Sequence, residues 1–338
     1  NSDFFICYIY RMSSIAVDVL RTRHPLSLSS ATLTTPLEIA GAKVRKPNLF
    51  ELSSILDACE QNPETEIGNS IKTIQELVRA TKNQEQSPLI LRTAEYQGSR
   101  AHIIASQQGM RGMIHHLFFE SAGNEHQAIL GNRLVNQVIA EFQERSIFRA
   151  HVLVSKEHAH NHPLSIHGFK EVQGERLQEF QMKERPIQPE QLHQKGFQIE
   201  EVLWQDQQEL FERFSEVPEL AIAPWEQDAA HRILHSNSNG YICFAVREQS
   251  SGRLVGAYFG GYAGSRGTCN HIVIEPEYRH HKLASDLVAH ALPKLYDHGV
   301  RTVHIMTTAG NDPAFKFWEK QGFIQSSKGT FLEADISY

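Results

Sequence analysis

The sequence predicts an α/β protein built from two similar halves. Three observations carry this. At 338 residues the chain is long for one domain and natural for two. Short β-type runs alternate with segments whose apolar residues recur every three or four positions. The second half also repeats the first. His116-Leu117-Phe118-Phe119-Glu120 overlays His271-Ile272-Val273-Ile274-Glu275 at an offset of 155. Leu130, Leu134, Val135 and His151 overlay Leu283, Leu287, Val288 and His304 at 153, and His167-Gly168-Phe169 overlays Gln321-Gly322-Phe323 at 154. A period held over so many elements is the mark of a duplicated unit.

Composition narrows the function. Hydrophobic content of 41% and charged content of 21% fit ordinary globular domains. A net charge of −6 gives no basic footprint for nucleic acid. No apolar run reaches membrane-spanning length, so no membrane partner is expected. Cys7, Cys59, Cys243 and Cys269 are scattered, which points to a reducing cytoplasm rather than a disulfide scaffold or a zinc site. Of 19 histidines, His158, His160, His162 and His167 cluster, but no cysteine or second carboxylate completes a metal-binding pattern. That segment reads as polar surface, and no metal is expected.

Taken in order, residues 1–41 are Ser/Thr-rich and read as a loosely held N-terminal arm. Met12 is a possible true start, and Arg21 and Arg23 give the arm a faint transit-peptide character. The first domain is expected over 42–183. Phe50, Leu52, Ile55, Leu56 and Cys59 fall at helical spacing, as do Ile71, Ile74, Leu77 and Val78. Residues 89–93 and 102–105 read as strands about a turn at Gln97-Gly98, 113–120 and 151–154 as further strands. Residues 130–144 read as an amphipathic helix. Residues 169–172 and 177–180 are expected to close the unit as a hairpin. The stretch 184–196 has two prolines and little apolar content, and reads as a linker. The second domain, 197–338, repeats the succession. Strands are expected at 197–202, 241–247, 254–260, 271–275 and 302–306, and helices at 205–216, 224–235, 284–297 and 313–320. A last hairpin is expected from 323–324 and 331–336.

The chemistry concentrates where strand 271–275 runs through Pro276-Glu277-Tyr278-Arg279-His280-His281-Lys282 into a helix opening with Leu283-Ala284-Ser285. A strand turning directly into a helix leaves first-turn amides unpaired, and the helix dipole makes them an anion site. Arg279 and Lys282 add cations, and His280 and His281 add protonatable donors. Arg279-x-x-Lys282-x-Ala284 resembles the acetyl-CoA pyrophosphate loop of the GNAT N-acetyltransferase superfamily, Arg/Gln-x-x-Gly-x-Gly/Ala. Residues 311–323, ending in Gly322-Phe323, resemble that family's last helix and its exit. One departure stands out: Lys282 replaces the loop's first glycine.

The resemblance implies two tandem GNAT-like folds, each a mixed, mostly antiparallel central sheet flanked by helices. It implies acetyl-CoA as co-substrate. The main chain of Ile272, Val273 and Ile274 would hold the pantetheine arm and thioester. The amides of 280–285 (His280, His281, Lys282, Leu283, Ala284, Ser285) would form the cradle, with Asn311 beside the arm. Glu275 and His271 are the candidates for a base; both also read as ordinary strand residues. Trp318 stands where many members carry an acidic tyrosine, and an indole N–H is no acid at neutral pH. In the first half, His126-Gln127-Ala128-Ile129-Leu130-Gly131 replaces the cradle and both cations are lost. That half is expected to be catalytically degenerate. The reading is an N-acyltransferase acting on a small-molecule or protein amine. The alternative is a non-catalytic CoA-binding or interaction module. A tandem transferase fed by charged tRNA is disfavoured by the acidic net charge.

Overall fold

The computed structural model describes residues 42–61, 89–109, 111–120, 123–154, 163–171, 176–190, 192, 195–202, 209–210, 240–263, 265–307, 310–325 and 330–336. The N-terminal arm, the expected helices at 71–78 and 224–235, most of the helix expected at 205–216, and the clustered histidines 158, 160 and 162 lie outside the described residues.

The first half runs β1 (Lys43–Arg45), α1 (Leu49–Gln61), β2 (Leu89–Tyr96), β3 (Ser99–Gln108), β4 (Arg111–Glu120), α2 (Asn124–Glu144), β5 (Arg149–Val154), β6 (Lys170–Glu171) and β7 (Arg176–Gln181). The second runs β8 (Phe197–Glu201), β9 (Tyr241–Glu248), β10 (Leu254–Ala263), β11 (Arg266–Ile274), α3 (Leu283–Asp297), β12 (Thr302–Thr307), α4 (Asp312–Lys320), β13 (Ile324–Gln325) and β14 (Thr330–Asp335). Strands β2 to β4 form an antiparallel meander, as do β8 to β11. The Gln97-Gly98 turn works because both residues take positive φ (46° and 80°), which matches the right-handed twist of a two-residue hairpin. Each meander then crosses over through a helix to a parallel strand, β4 to β5 and β11 to β12. A parallel pair needs such a crossover, and the apolar stripes of α2 and α3 supply its cover. Leu130, Leu134, Val135, Val138 and Phe142 bury one stripe; Leu283, Leu287, Val288, Ala291 and Leu295 bury the other.

Each meander carries a bulge at the same place. The register of β3 with β4 slips past His115, and that of β10 with β11 slips past Asn270. The shared defect, 155 residues apart, confirms the duplication at backbone level.

The closing hairpins expected from the sequence are not formed. β7 instead enters the second sheet, between β12 and β13, and β14 enters the first, between β5 and β6. The resulting orders are β1-β2-β3-β4-β5-β14-β6 and β13-β7-β12-β11-β10-β9-β8, seven strands each. Thus the units 42–183 and 197–338 are contiguous in sequence, but each sheet borrows a strand from the other. The reason the sequence hides this is the duplication itself. β7 and β14 are equivalent strands with similar patterning, so each suits either sheet.

The halves meet along the β3–β4 turn. An added Cβ on Gly261 would lie 2.1 Å from the main chain of Gln108 and Gly109, so only glycine allows the approach. Gly109 N–H donates to the Gly240 carbonyl at 3.2 Å. One apolar cluster runs across the junction, joining Ile90, Ile103 and Leu134 to Ala257, Phe259 and Val273. A second cluster packs α3 and Trp318 on the far face of the second sheet.

Candidate active site

The site is a wedge between β11 and β12. These strands pair only from Arg266–Thr268 to Thr302–His304. Beyond Thr268 no β12 partner follows, although β11 stays paired with β10 as far as Ile274. The gap therefore lies between the edge of β11 and that of β12 from Ile305 to Thr307, which pairs on its other side with β7. Which groups line it follows from alternation. Glu275 N–H donates to Val255 O at 2.9 Å, so Glu275, Val273 and His271 turn their backbone groups towards β10. Ile272 and Ile274 turn theirs into the gap. Arg279 Nε donates to the Ile274 carbonyl at 3.1 Å, leaving Ile272 as the main gap-facing residue. Of the three residues expected to bind through the main chain, Val273 is a correction: its polar backbone groups belong to the sheet.

The cradle follows directly. Pro276–Tyr278 form a single 3-10 turn, Arg279 is extended, and α3 starts at Leu283. Between them His280 (φ 68°) and Lys282 (φ 61°) adopt left-handed conformations. Such a conformation costs a non-glycine residue about 1–2 kcal/mol. Lys282 thus takes up the shape for which the motif's glycine is suited, and the departure at this position leaves the loop geometry intact. The first intrahelical bond runs from Asp286 N–H to Lys282 O at 3.0 Å. The amides of Leu283, Ala284 and Ser285 precede it, at the positive end of a 15-residue helix. His280, His281 and Lys282 are exposed around them. Ser285 Oγ accepts from Gln321 Nε2 at 3.0 Å, which ties the cradle to the end of α4.

Other expected site residues have different work. Glu275 is buried and its carboxylate accepts from Arg253 Nη2 at 2.7 Å. Arg253 also reaches Glu277 at 2.8 Å. The same pair recurs in the first half, where Arg100 Nη1 donates to Glu120 at 3.1 Å. A carboxylate committed to a guanidinium, in an arrangement the half without a cradle also keeps, is strand-end architecture. This corrects the expectation for Glu275. Asn311 caps α4, its Oδ1 accepting from Ala314 N–H at 3.1 Å. Trp318 is buried against Phe317 and Phe323.

His271 lies on the face away from α3, edge-on to Phe259 at 6.4 Å between ring centroids. Burial, then the nearby charges of Arg111 and Arg149, push its pKa down to about 3. The imidazole is therefore neutral at pH 7 and a weak base. Both arginines come from the first half, a neighbourhood that no motif in the sequence announced.

In the first half the wedge persists but the cradle does not. β4 and β5 part beyond Ile114 and Val152. Aligned on their buried stripes, α2 begins six residues before α3: Asn124–Ile129 are helical where 277–282 form the loop. Amides that would face an anion are there spent inside a helix, and His126 donates to or accepts from Ser99 Oγ at 2.8 Å.

Residues 200–323 match the sequence model of the acetyltransferase (GNAT) family. An acetyltransferase of Yersinia pseudotuberculosis is 30% identical over 102 residues, 29% of this chain and 69% of that protein. The chain belongs to the GNAT acetyltransferase family. An acetyltransferase of Pectobacterium atrosepticum is 29% identical over the same length, again 69% of that protein. Among solved structures, the chain is similar to a tandem GNAT protein from the clavulanic acid biosynthesis pathway. There the TM-score is 0.50 at 12% identity, covering 87% of this chain and 98% of that one. A Drosophila protein gives 0.51 at 10% identity, covering 88% and 99%. These likenesses extend the GNAT fold to both halves. The enzyme is thus an N-acetyltransferase by family, and its chemistry is acyl transfer.

Proposed function

We propose that this GNAT enzyme moves an acetyl group from acetyl-CoA to a primary amine in its second half, and that the first half is catalytically degenerate. One observation carries the reading. The wedge between β11 and β12 leads straight to two left-handed residues, His280 and Lys282, and the first-turn amides of α3, whereas the equivalent positions of the first half, Asn124–Ile129, are already helical. The residues suit the group. The amides of Leu283, Ala284 and Ser285, with Lys282 beside them, would hold a diphosphate. The Ile272 main chain would hold the pantetheine arm. Acetyl-CoA supplies an activated acyl thioester when bound. Around it, the Ile272 N–H is a fixed donor on the gap, the type of group that stabilises a developing oxyanion. His271 offers a neutral acceptor to an incoming amine, and its low basicity means the amine's proton leaves chiefly through solvent. A small-molecule or protein amine suits this chemistry equally.

Isothermal titration with acetyl-CoA tests the reading. Lys282→Gly keeps the turn and loses one cation, so its affinity should stay within roughly threefold of wild type. Lys282→Val resists positive φ and should bind roughly tenfold or more weakly, a loss of about 1.4 kcal/mol. Glu275→Gln should bind normally and turn over in proportion to its folded fraction. Absence of binding in wild type, or equal loss in both Lys282 variants, would overturn the proposal.

A further inference from the structure

A polar cluster centred on a buried histidine recurs in both sheets. In the second, Arg266 on β11 donates through Nε to His304 Nδ1 on β12 at 3.3 Å, and the ring's Nε2 lies 3.4 Å from Glu179 Oε1 on β7. In the first, Arg111 on β4 lies 3.1 Å from His151 Nε2 on β5, which lies 2.8 Å from Glu333 Oε2 on β14. The members sit 155, 153 and 154 residues apart. In both, arginine and histidine come from one half, while the glutamate arrives from the other half on the exchanged strand. His151 and Glu333 stand opposite each other in register, as do His304 and Glu179.

The location gives the second cluster a use. His304 stands opposite Thr268, and this is the last registered pair before β11 and β12 part. The cluster therefore ties three adjacent strands together at the apex of the wedge. We propose that Glu179 is a positioning residue of the C-terminal site. By holding His304, and through it Arg266, it fixes the separation at which the wedge begins to open. The first half would then complete the second half's site without any chemistry of its own. This deepens the reading of the wedge as the thioester site and rests on it. Glu333 makes the equivalent links beside a wedge with no cradle. It separates a general structural role from one specific to the site.

The test uses the full chain carrying Glu179→Gln or Glu333→Gln, with Glu179→Asp in reserve should the first fail to fold. Steady-state kinetics and ligand-free amide hydrogen exchange are measured on each. Glu179→Gln should raise KM for acetyl-CoA roughly tenfold, on the scale expected of a displaced positioning group, with kcat changed less. Its exchange should quicken over 302–307. Glu333→Gln should keep KM within about twofold of wild type, with faster exchange confined to 149–154. Equal KM changes in the two variants, or unchanged exchange over 302–307 in Glu179→Gln, would overturn the proposal. If wild type turns over no acetyl-CoA, the functional reading fails by itself. The exchange comparison then decides the clasp, with faster exchange over 302–307 in Glu179→Gln alone supporting it.

Discussion

The two halves of this acetyltransferase keep the same frame and differ at one loop. Both have the bulge, the parting parallel strands, the strand-end Arg–Glu pair and the Arg–His–Glu cluster. The second places His280 and Lys282, both left-handed, ahead of its helix; in the first, the equivalent positions, Asn124–Ile129, are already helical. The difference teaches what to assign to function. Features that persist without the cradle, Glu275 included, are explained by the fold. Features confined to the cradle, such as the Lys282 conformation, are the ones the proposed site would use.

The largest expected effect comes from separating the halves. Cut at the linker and expressed alone, 42–190 would carry β7 without its sheet and leave β5 without β14. The second fragment would lose β7 from beside β12. Each would expose strand edges and apolar surface, so neither should fold alone, and co-expression should restore a folded complex. Circular dichroism and size-exclusion chromatography check this. A folded monomeric fragment would sever the comparison from the exchanged strands.

A smaller effect lies in pH. His116 and His271 are equivalent, and burial lowers their pKa values to about 4 and about 3, the latter aided by Arg111 and Arg149. A histidine held neutral in the fold has its full stabilising effect above its ordinary pKa near 6.5. That effect is lost as pH falls from there towards the folded value. Each site should therefore cost on the order of 2 kcal/mol of stability by pH 5. Burial alone would raise the Glu333 carboxyl, but the His151 hydrogen bond and nearby arginines hold it down at about 2. Its effect is present above its ordinary range and is lost only as pH falls towards 2. Urea titrations at pH 7 and 5 should show His116→Gln and His271→Gln each flattening the slope. A flat wild-type profile would contradict the burial of both rings.

Much of this was legible in the sequence because it is local or periodic. The β11-to-α3 succession rests on Pro276 and on the stripe Leu283, Leu287, Val288, and both survive. The duplication was legible because equivalent side chains recur at a constant offset. What was not legible depends on partners far apart in the chain. Glu275 reads as a free strand-end carboxylate until the fold brings Arg253 against it. The exchange of β7 and β14 is hidden because Glu179 and Glu333 sit in like strands. Lys282 reads as a defect in the motif until its φ is known. The offset of the two Arg–His–Glu sets was a usable signal, since all six residues are spaced by the duplication period.

The central claim, that the ligand site belongs to one half alone, is tested most directly by hydrogen exchange with and without acetyl-CoA. The account expects protection over 279–286 and 269–274, with 123–130 unchanged. Protection at the start of α2, or none at the start of α3, would contradict it.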